Sequence, residues 1–258
     1  MIRIAVDGMG SDYGPQVVVE GAVQAANDFA HLEIVLVGQP DPLKSELNRH
    51  KVLGGKIVIH PASEIVGMGD SPVSALKKKR DSSIAVCVNL LKTKQVDAVM
   101  TAGNTGAAVA ASTLHLGLLP GIKRPGIAIG TPTLHGISVV MDVGANLNPS
   151  AEELLQYAFM AEVYARCIFK KKRPSVALLN IGEEESKGTE VLKEAYKLLR
   201  DSSLNFIGNI EGRDFFTGKV DCIICDGFVG NVVLKMCESV LETAVAIFSR
   251  ELRKNPIS

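Results

Sequence analysis

The chain has 258 residues, 47% of them hydrophobic, and its 28 basic side chains balance 28 acidic ones. That length suits one large core or two closely packed smaller ones, and a formal charge of zero argues against a nucleic-acid footprint. Five scattered cysteines make no disulfide framework and fit a reducing, cytoplasmic compartment, and neither a signal-peptide flank nor a membrane-length apolar run is seen.

From the amino terminus, Ile2–Val6 reads as a strand and Pro15–Phe29 as a helix, with Pro15 in a first turn that tolerates it. Strands follow at Glu33–Val37 and Lys56–Ile59. Residues 61–80, rich in Gly, Pro and Ser, predict a loop carrying one short helix. Next come a helix over Ser82–Lys94, a strand over Asp97–Thr101 and a helix over Thr105–Leu116. Residues 118–136 place three prolines and four glycines around a short strand, Ile127–Gly130, and a further strand spans Ile137–Asp142.

A long helix over Pro149–Phe169 is the expected joint between two soft lobes, about 1–148 and 149–258, of a single α/β domain. Ser150 with Glu153 resembles a capping box and would shift its start by one residue. Strands at Ser175–Asn180, Asn205–Ile207 and Asp221–Cys225 alternate with helices at Lys187–Arg200 and Gly230–Arg253. Near-continuous Val, Ile, Leu and Ala in most strands, alternating with helices, predict a three-layer α/β/α fold on a mostly parallel, doubly wound sheet.

Ligands of such sheets sit beyond the carboxyl ends of the strands. Five strands here run into Gly with Asn or Asp before a helix: DGMGSDYGP (7–15), AGNTGA (102–107), DVGANLNP (142–149), NIGEEESKG (180–188) and DGFVGN (226–231). Glycine permits close backbone approach, and the free N–H groups of a helix's first turn attract an anion. One such loop is an ordinary turn; five of one composition point to a phosphate-handling edge. Nucleotide motifs do not fit: G-x-x-x-x-G-K-[ST] is absent, and Gly8, Gly10 and Gly14 are spaced unlike a dinucleotide fingerprint. Arg124, Lys187, Arg213 and Lys235 lie near these loops, either as phosphate clamps or as partners of Glu183–Glu185, Glu211 and Asp214.

Other constellations have plainer readings. Cys222 and Cys225 flank two isoleucines on a strand, where their sulfurs would face opposite sides as buried core residues. The five histidines form no zinc-protease motif, and no hydrolase elbow is present. The basic runs Lys77–Arg80 and Lys170–Arg173 suit solvated helix ends, or a dock for an acidic partner. The broad apolar stripe of the last helix suits a core or a subunit interface, with membrane contact a lesser reading.

Taken in order, DGMGSDYGP, AGNTGA, KRPGIA (123–128), DVGAN, LLNIGEEESKG (178–188), NFIGNIEGRD (205–214) and CDGFVGNVVLK (225–235) resemble the acyl-ACP:phosphate acyltransferase (PlsX) family of bacterial phospholipid synthesis. The resemblance implies transfer of a fatty acyl group from acyl-carrier protein to inorganic phosphate, with no metal or cofactor. It also implies a fold like that of the isocitrate/isopropylmalate dehydrogenases and the phosphate acetyl- and butyryltransferases, a homodimer, and a cytoplasmic protein that associates peripherally with the membrane. Family chains run on into a further strand and helix, whereas this sequence stops at Asn255–Ser258.

In the mechanism so implied, phosphate attacks the thioester directly, and the protein positions it and stabilises the oxyanion. Asn104, Lys187, Asp226 and Asn231 are the expected catalytic groups. Asp7, Gly8, Gly10, Gly103, Thr105, Gly106, Arg124, Asn146, Arg213 and Gly230 are the expected phosphate and substrate contacts. A dehydrogenase-like enzyme, an acetyl- or butyryltransferase-like enzyme on the same fold, and a non-catalytic carrier-protein binding module are the alternatives.

Overall fold

The computed structural model describes residues 1–254; the terminal stretch 255–258, on which the expectation about chain length falls, lies outside them. The chain forms two compact units, Met1–Leu119 and Pro120–Ser258, so the helix expected as a joint lies inside the second.

The first unit contains β1 (Ile2–Asp7), α1 (Pro15–Asp28), β2 (Leu32–Gly38), α2 (Pro40–Leu47) and β3 (Lys56–Pro61), followed by α3 (Pro72–Lys78), α4 (Ser83–Lys92), β4 (Ala98–Met100) and α5 (Thr105–Leu116). Its four strands are parallel, in the order β3-β2-β1-β4. Alternation along a strand sends successive side chains to opposite faces. Val6, Ile34 and Leu36 accordingly pack with Val19, Val23 and Leu43 on one face, while Ala5, Val35 and Val37 pack with Cys87 and Leu90 on the other. The sheet is thus the middle of three layers.

The second unit contains β5 (Ala128–Thr133), β6 (Gly136–Met141), α6 (Ala151–Phe169), β7 (Ser175–Leu179), α7 (Glu190–Arg200), β8 (Asn205–Ile210), a single 3-10 turn at Gly212–Asp214, β9 (Cys222–Ile224) and α8 (Gly227–Lys254). The strand order is β5-β6-β9-β7-β8, parallel except that β5 and β6 form an antiparallel hairpin. β9, latest in sequence, lies between β6 and β7. Cys222 and Ile224 face α6 and α7 with Tyr157 and Leu199, while Ile223 and Cys225 face Val233 and Leu234 of α8. The two cysteines therefore point to opposite faces, both buried.

All nine expected strands are present, within a few residues of their expected ends. The Ser150–Glu153 capping box forms in both directions, so α6 starts at Ala151 and Pro149 precedes the helix instead of opening it. The short helix expected within 61–80 is α3, whereas α2 has no counterpart in the sequence reading.

Candidate functional site

In the first unit, β1 and β4 are neighbours and end at the same edge, which brings the 7–15 and 101–106 loops together. The buried Asp7 carboxylate organises them. Its Oδ1 accepts from the Met9 N–H and its Oδ2 from the Thr101 hydroxyl, whose oxygen accepts from the Gly103 N–H. A Cβ on Gly103 would stand 2.5 Å from the Gly10 carbonyl oxygen, and one on Gly8 would stand 2.8 Å from Leu43. Glycine is required at 103 for this close backbone approach, whereas the contact at Gly8 is with the flexible end of the Leu43 side chain.

Asn104 is the N-cap of α5, its Oδ1 accepting from the Ala107 N–H at 3.0 Å. Its Nδ2 donates to the carbonyls of Gly67, Met68 and Asp70 at 3.0–3.3 Å. With both amide hydrogens directed at that loop, Asn104 fastens protein to protein, in contrast to the free donor expected from sequence. Thr105 is exposed, and a Cβ on Gly106 would stand 2.6 Å from Pro72, so the start of α3 packs onto the start of α5. Lys79 ties the same loop, donating to the Ile65 carbonyl and to Asp70, whose carboxyl is held below its usual range by the Lys79 hydrogen bond and the Gly67 N–H. Lys77, Lys78 and Arg80 of the first basic run are exposed.

In the second unit, β6, β9, β7 and β8 are parallel and deliver four loops to one edge. At its centre stands Asp142, fully buried, which the sequence reading passed over. Its Oδ1 accepts from the N–H groups of Ile127, Gly144 and Ala145, and its Oδ2 from that of Asn146. Four N–H donors satisfy the buried carboxyl group and fold residues 142–146 into a tight loop. Gly227 and Gly230 lie against this loop: a Cβ on Gly227 would stand 2.8 Å from Asp142 Oδ2, and one on Gly230 would collide with the Asp142 carbonyl.

Asn146 is buried, and its amide donates to Glu153 and to the Tyr157 hydroxyl. Arg124 meets the same Glu153 carboxylate at 3.3 Å, and burial pushes the Tyr157 phenol up to about 12. Arg124 and Asn146 thus belong to one polar cluster at the start of α6. Asn231, one turn into α8, is exposed, lies next to Gly144 and makes no side-chain hydrogen bond among the described residues. Asp226 caps the first turn of that helix, its Oδ1 accepting from the Val229 N–H at 2.8 Å.

Asn180, at the end of β7, donates to the Lys187 carbonyl and accepts from the Ile181 N–H, closing the 181–188 loop. Lys187 itself is exposed and forms no ion pair among the described residues. Arg213 pairs instead with Glu211 at 3.0 Å and Glu183 at 3.8 Å, as its acidic neighbours allowed. Lys235 is exposed and pairs with Glu238. The Lys170–Arg173 run lies between the end of α6 and the start of β7, at the opposite end of the strand from these loops; Lys170 donates to the Cys167 carbonyl and Lys171 pairs with Asp221.

Two cavities border this unit's loops. One of about 580 Å3 sits beyond the ends of β7 and β9, with Leu147, Leu179, Asn180, Thr189, Asp226 and Val229 in its wall. Another of about 740 Å3 runs along α8 beside Ile129, Phe215, Leu234 and Leu241. Among the described residues, no cluster of three or more His, Cys, Asp or Glu is arranged to hold a metal ion, and no helix is long and apolar enough to cross a membrane.

A family profile described as "Fatty acid synthesis protein" matches residues 2–258. The phosphate acyltransferase of Heliobacterium modesticaldum is 46% identical over 255 residues, spanning 98% of this chain and 76% of the relative. That of Geobacter sulfurreducens is 46% identical over 257 residues, spanning 100% and 74%. Among solved structures, EutD phosphotransacetylase from Staphylococcus aureus superposes with a TM-score of 0.63 at 14% identity, over 93% of this chain and 82% of that one. A branched-chain phosphotransacylase from Enterococcus faecalis gives 0.58 at 17% identity, over 91% and 83%. These structures share the fold, mixed α/β with mostly parallel sheets.

Proposed function

The chain belongs to the phosphate acyltransferase family, and from that premise we propose that it moves a fatty acyl group from acyl-[acyl-carrier protein] to inorganic phosphate, yielding acyl phosphate for phospholipid synthesis. The observation that carries the local chemistry is the edge of the second unit. There the Asp142 loop sets Gly144 beside Asn231, whose amide is unengaged among the described residues, one turn into α8.

Hydrogen phosphate needs little activation near neutral pH. One of its oxygens attacks the thioester carbonyl, the C–O bond forms, and the C–S bond breaks. The proton carried by hydrogen phosphate leaves with the carrier's thiol, so the exchange balances without an added acid or oxidant. Asn231 supplies an uncharged donor to the tetrahedral oxyanion. Lys187, exposed and without an ion pair among the described residues, supplies the cation that draws phosphate in. Asp226 holds the first turn of α8 through Val229, and Arg213 stiffens the 183–187 loop through Glu183.

Asp7, Gly8, Gly10, Gly103, Thr105 and Gly106 form the second candidate surface, in the first unit, where Asn104 holds the 67–70 segment against α5. The remaining parts of the reading are that the protein is cytoplasmic, homodimeric and peripherally membrane-associated. Five free thiols fit the first, and the exposed Met236, Val240, Phe248 and Leu252 of α8 fit the others.

The test is phosphate-dependent release of carrier-protein thiol from a long-chain acyl-carrier protein, with acyl phosphate identified as product. Thiol release that ignores phosphate, or none at all, removes the assignment.

A further inference from the structure

The cavity beyond β7 and β9 has a composition that the transfer chemistry alone does not require. Its wall is built largely from Leu147, Leu154, Leu179, Val191, Leu192 and Val229, with four polar members, Asn148, Asn180, Thr189 and Asp226. Three of these polar groups are already committed within the protein. Asn180 bonds to the Lys187 carbonyl and the Ile181 N–H, Thr189 caps α7 through the Leu192 N–H, and Asp226 caps α8 through the Val229 N–H. A polar guest deep in the pocket would therefore find little to replace its lost water, whereas a hydrocarbon would lose none.

Position argues for the same guest. The pocket opens where α6, α7 and α8 begin, and Asp226, three positions before Val229, stands in its wall at the cap of the helix that carries Asn231. Neither cavity includes Lys187 or Asn231 in its wall; of the two, the smaller is the one that Asp226 lines. At about 580 Å3 the smaller one lies within the roughly 300–1,000 Å3 range of small-molecule sites. Its outer residues are apolar yet accessible: Ile181 is 82% exposed and Leu147 is 57% exposed, which leaves a greasy lip for a chain to enter by.

We propose that this pocket in the second unit receives the aliphatic chain of the acyl group, with the carbonyl end held at the Asp226–Asn231 turn. The packing of Val191, Leu192 and Val229 then sets how long a chain the enzyme accepts. The inference rests on the acyltransferase reading for its substrate, and on the shape and chemistry of the pocket for its location.

The experiment pairs kinetics with direct binding in the 258-residue protein. Val191→Trp and Val229→Trp fill the pocket from positions 39% and 37% exposed, where a larger side chain can be housed, and Val191→Asp puts a charge into it at a helix start that tolerates acid. Thermal melts identify which variants are folded. For the folded variants, the ratio of kcat/KM for a sixteen-carbon over a four-carbon acyl substrate is expected to fall at least tenfold, since each methylene kept out of an apolar site loses roughly fourfold. The fluorescent fatty acid 11-(dansylamino)undecanoic acid should bind the unsubstituted protein and lose at least tenfold in affinity in the same variants. An unchanged chain-length ratio in a protein that does make acyl phosphate overturns the pocket and leaves the reaction standing. Probe binding lost in the variants, in a protein that makes no acyl phosphate, keeps the pocket and removes the reaction. Equal probe affinity in all variants overturns the pocket.

Discussion

Gly103 and Gly10 meet backbone to backbone: a methyl group on the former would stand 2.5 Å from the carbonyl oxygen of the latter and 2.9 Å from its Cα. Because β1 and β4 run side by side in register, the two loops leaving them have no room to diverge. The contact sets how closely the first unit's candidate phosphate loops can approach.

Gly103→Ala should therefore destabilise the protein by about 1–3 kcal/mol through overpacking. Gly21→Ala, in the middle of α1 with open space around it, should stabilise by about 0.5–1 kcal/mol through helix propensity. Chemical denaturation of the two variants in parallel checks both signs. A Gly103→Ala protein as stable as the parent would mean that the loops separate freely.

Asn104 offers a way to divide capping from fastening. Asn104→Asp keeps an oxygen for the Ala107 N–H and should retain stability to within about 0.5 kcal/mol of the parent's cap. It loses the amide donors to Gly67, Met68 and Asp70, so trypsin should cut faster at Lys77–Arg80. Asn104→Ala should lose both, with a further cost of about 1 kcal/mol. Parent-like digestion of the aspartate variant would show that the amide does not hold this segment.

The two cations of the 183–213 region should behave differently. Lys187→Ala, at an exposed position, should leave the melting temperature unchanged and raise KM for phosphate about tenfold or more. Arg213→Ala releases Glu183 and Glu211, and should lower kcat and loop order more than phosphate affinity. Asn231→Ala, losing an oxyanion donor, should cost roughly 100- to 1000-fold in kcat at unchanged stability. Steady-state kinetics with phosphate as the varied substrate separates the three.

Acid stability should depend on Asp221. Burial opposes its charge, but the Lys171 hydrogen bond and those from Ser175 outweigh this and lower its pKa. A carboxylate so lowered stabilises the fold above its unfolded value of about 4, and that contribution is lost as pH falls through the folded value. Asp221→Asn should be less stable than the parent at pH 7 by roughly 1–3 kcal/mol, with the gap closing toward pH 2. Urea midpoints measured across that range check the trend.

Much of the fold was legible because its strands are short, apolar and bounded by glycine. α2 escaped because PDPLKSEL is brief, holds two prolines and buries only Leu43, leaving little periodicity to read. The antiparallel β5–β6 pair follows from the tight Leu134–His135 connection, which the sequence reading did not convert into a strand direction. The loops of the candidate site were identified from their composition, but the work of their side chains was not. Asn104 and Asn146 look alike at that level. What their amides do is decided by carbonyls at 67–70 and by Glu153 and Tyr157, partners that strand-end composition does not reveal. Asp142 was read as one acid in a glycine loop, and its four N–H partners emerge only once 127 and 146 are brought to it.

The late position of β9 bears on how the polypeptide assembles. The first sheet has all its strands once residue 100 is made, and each is laid beside one already present. The second cannot close before residue 224: until β9 slides between them, β6 and β7 have no hydrogen-bonding neighbour on their facing sides. Nascent chains ending between about 180 and 220 thus carry two open apolar strand edges, which is the stage of synthesis at which aggregation and chaperone capture should concentrate.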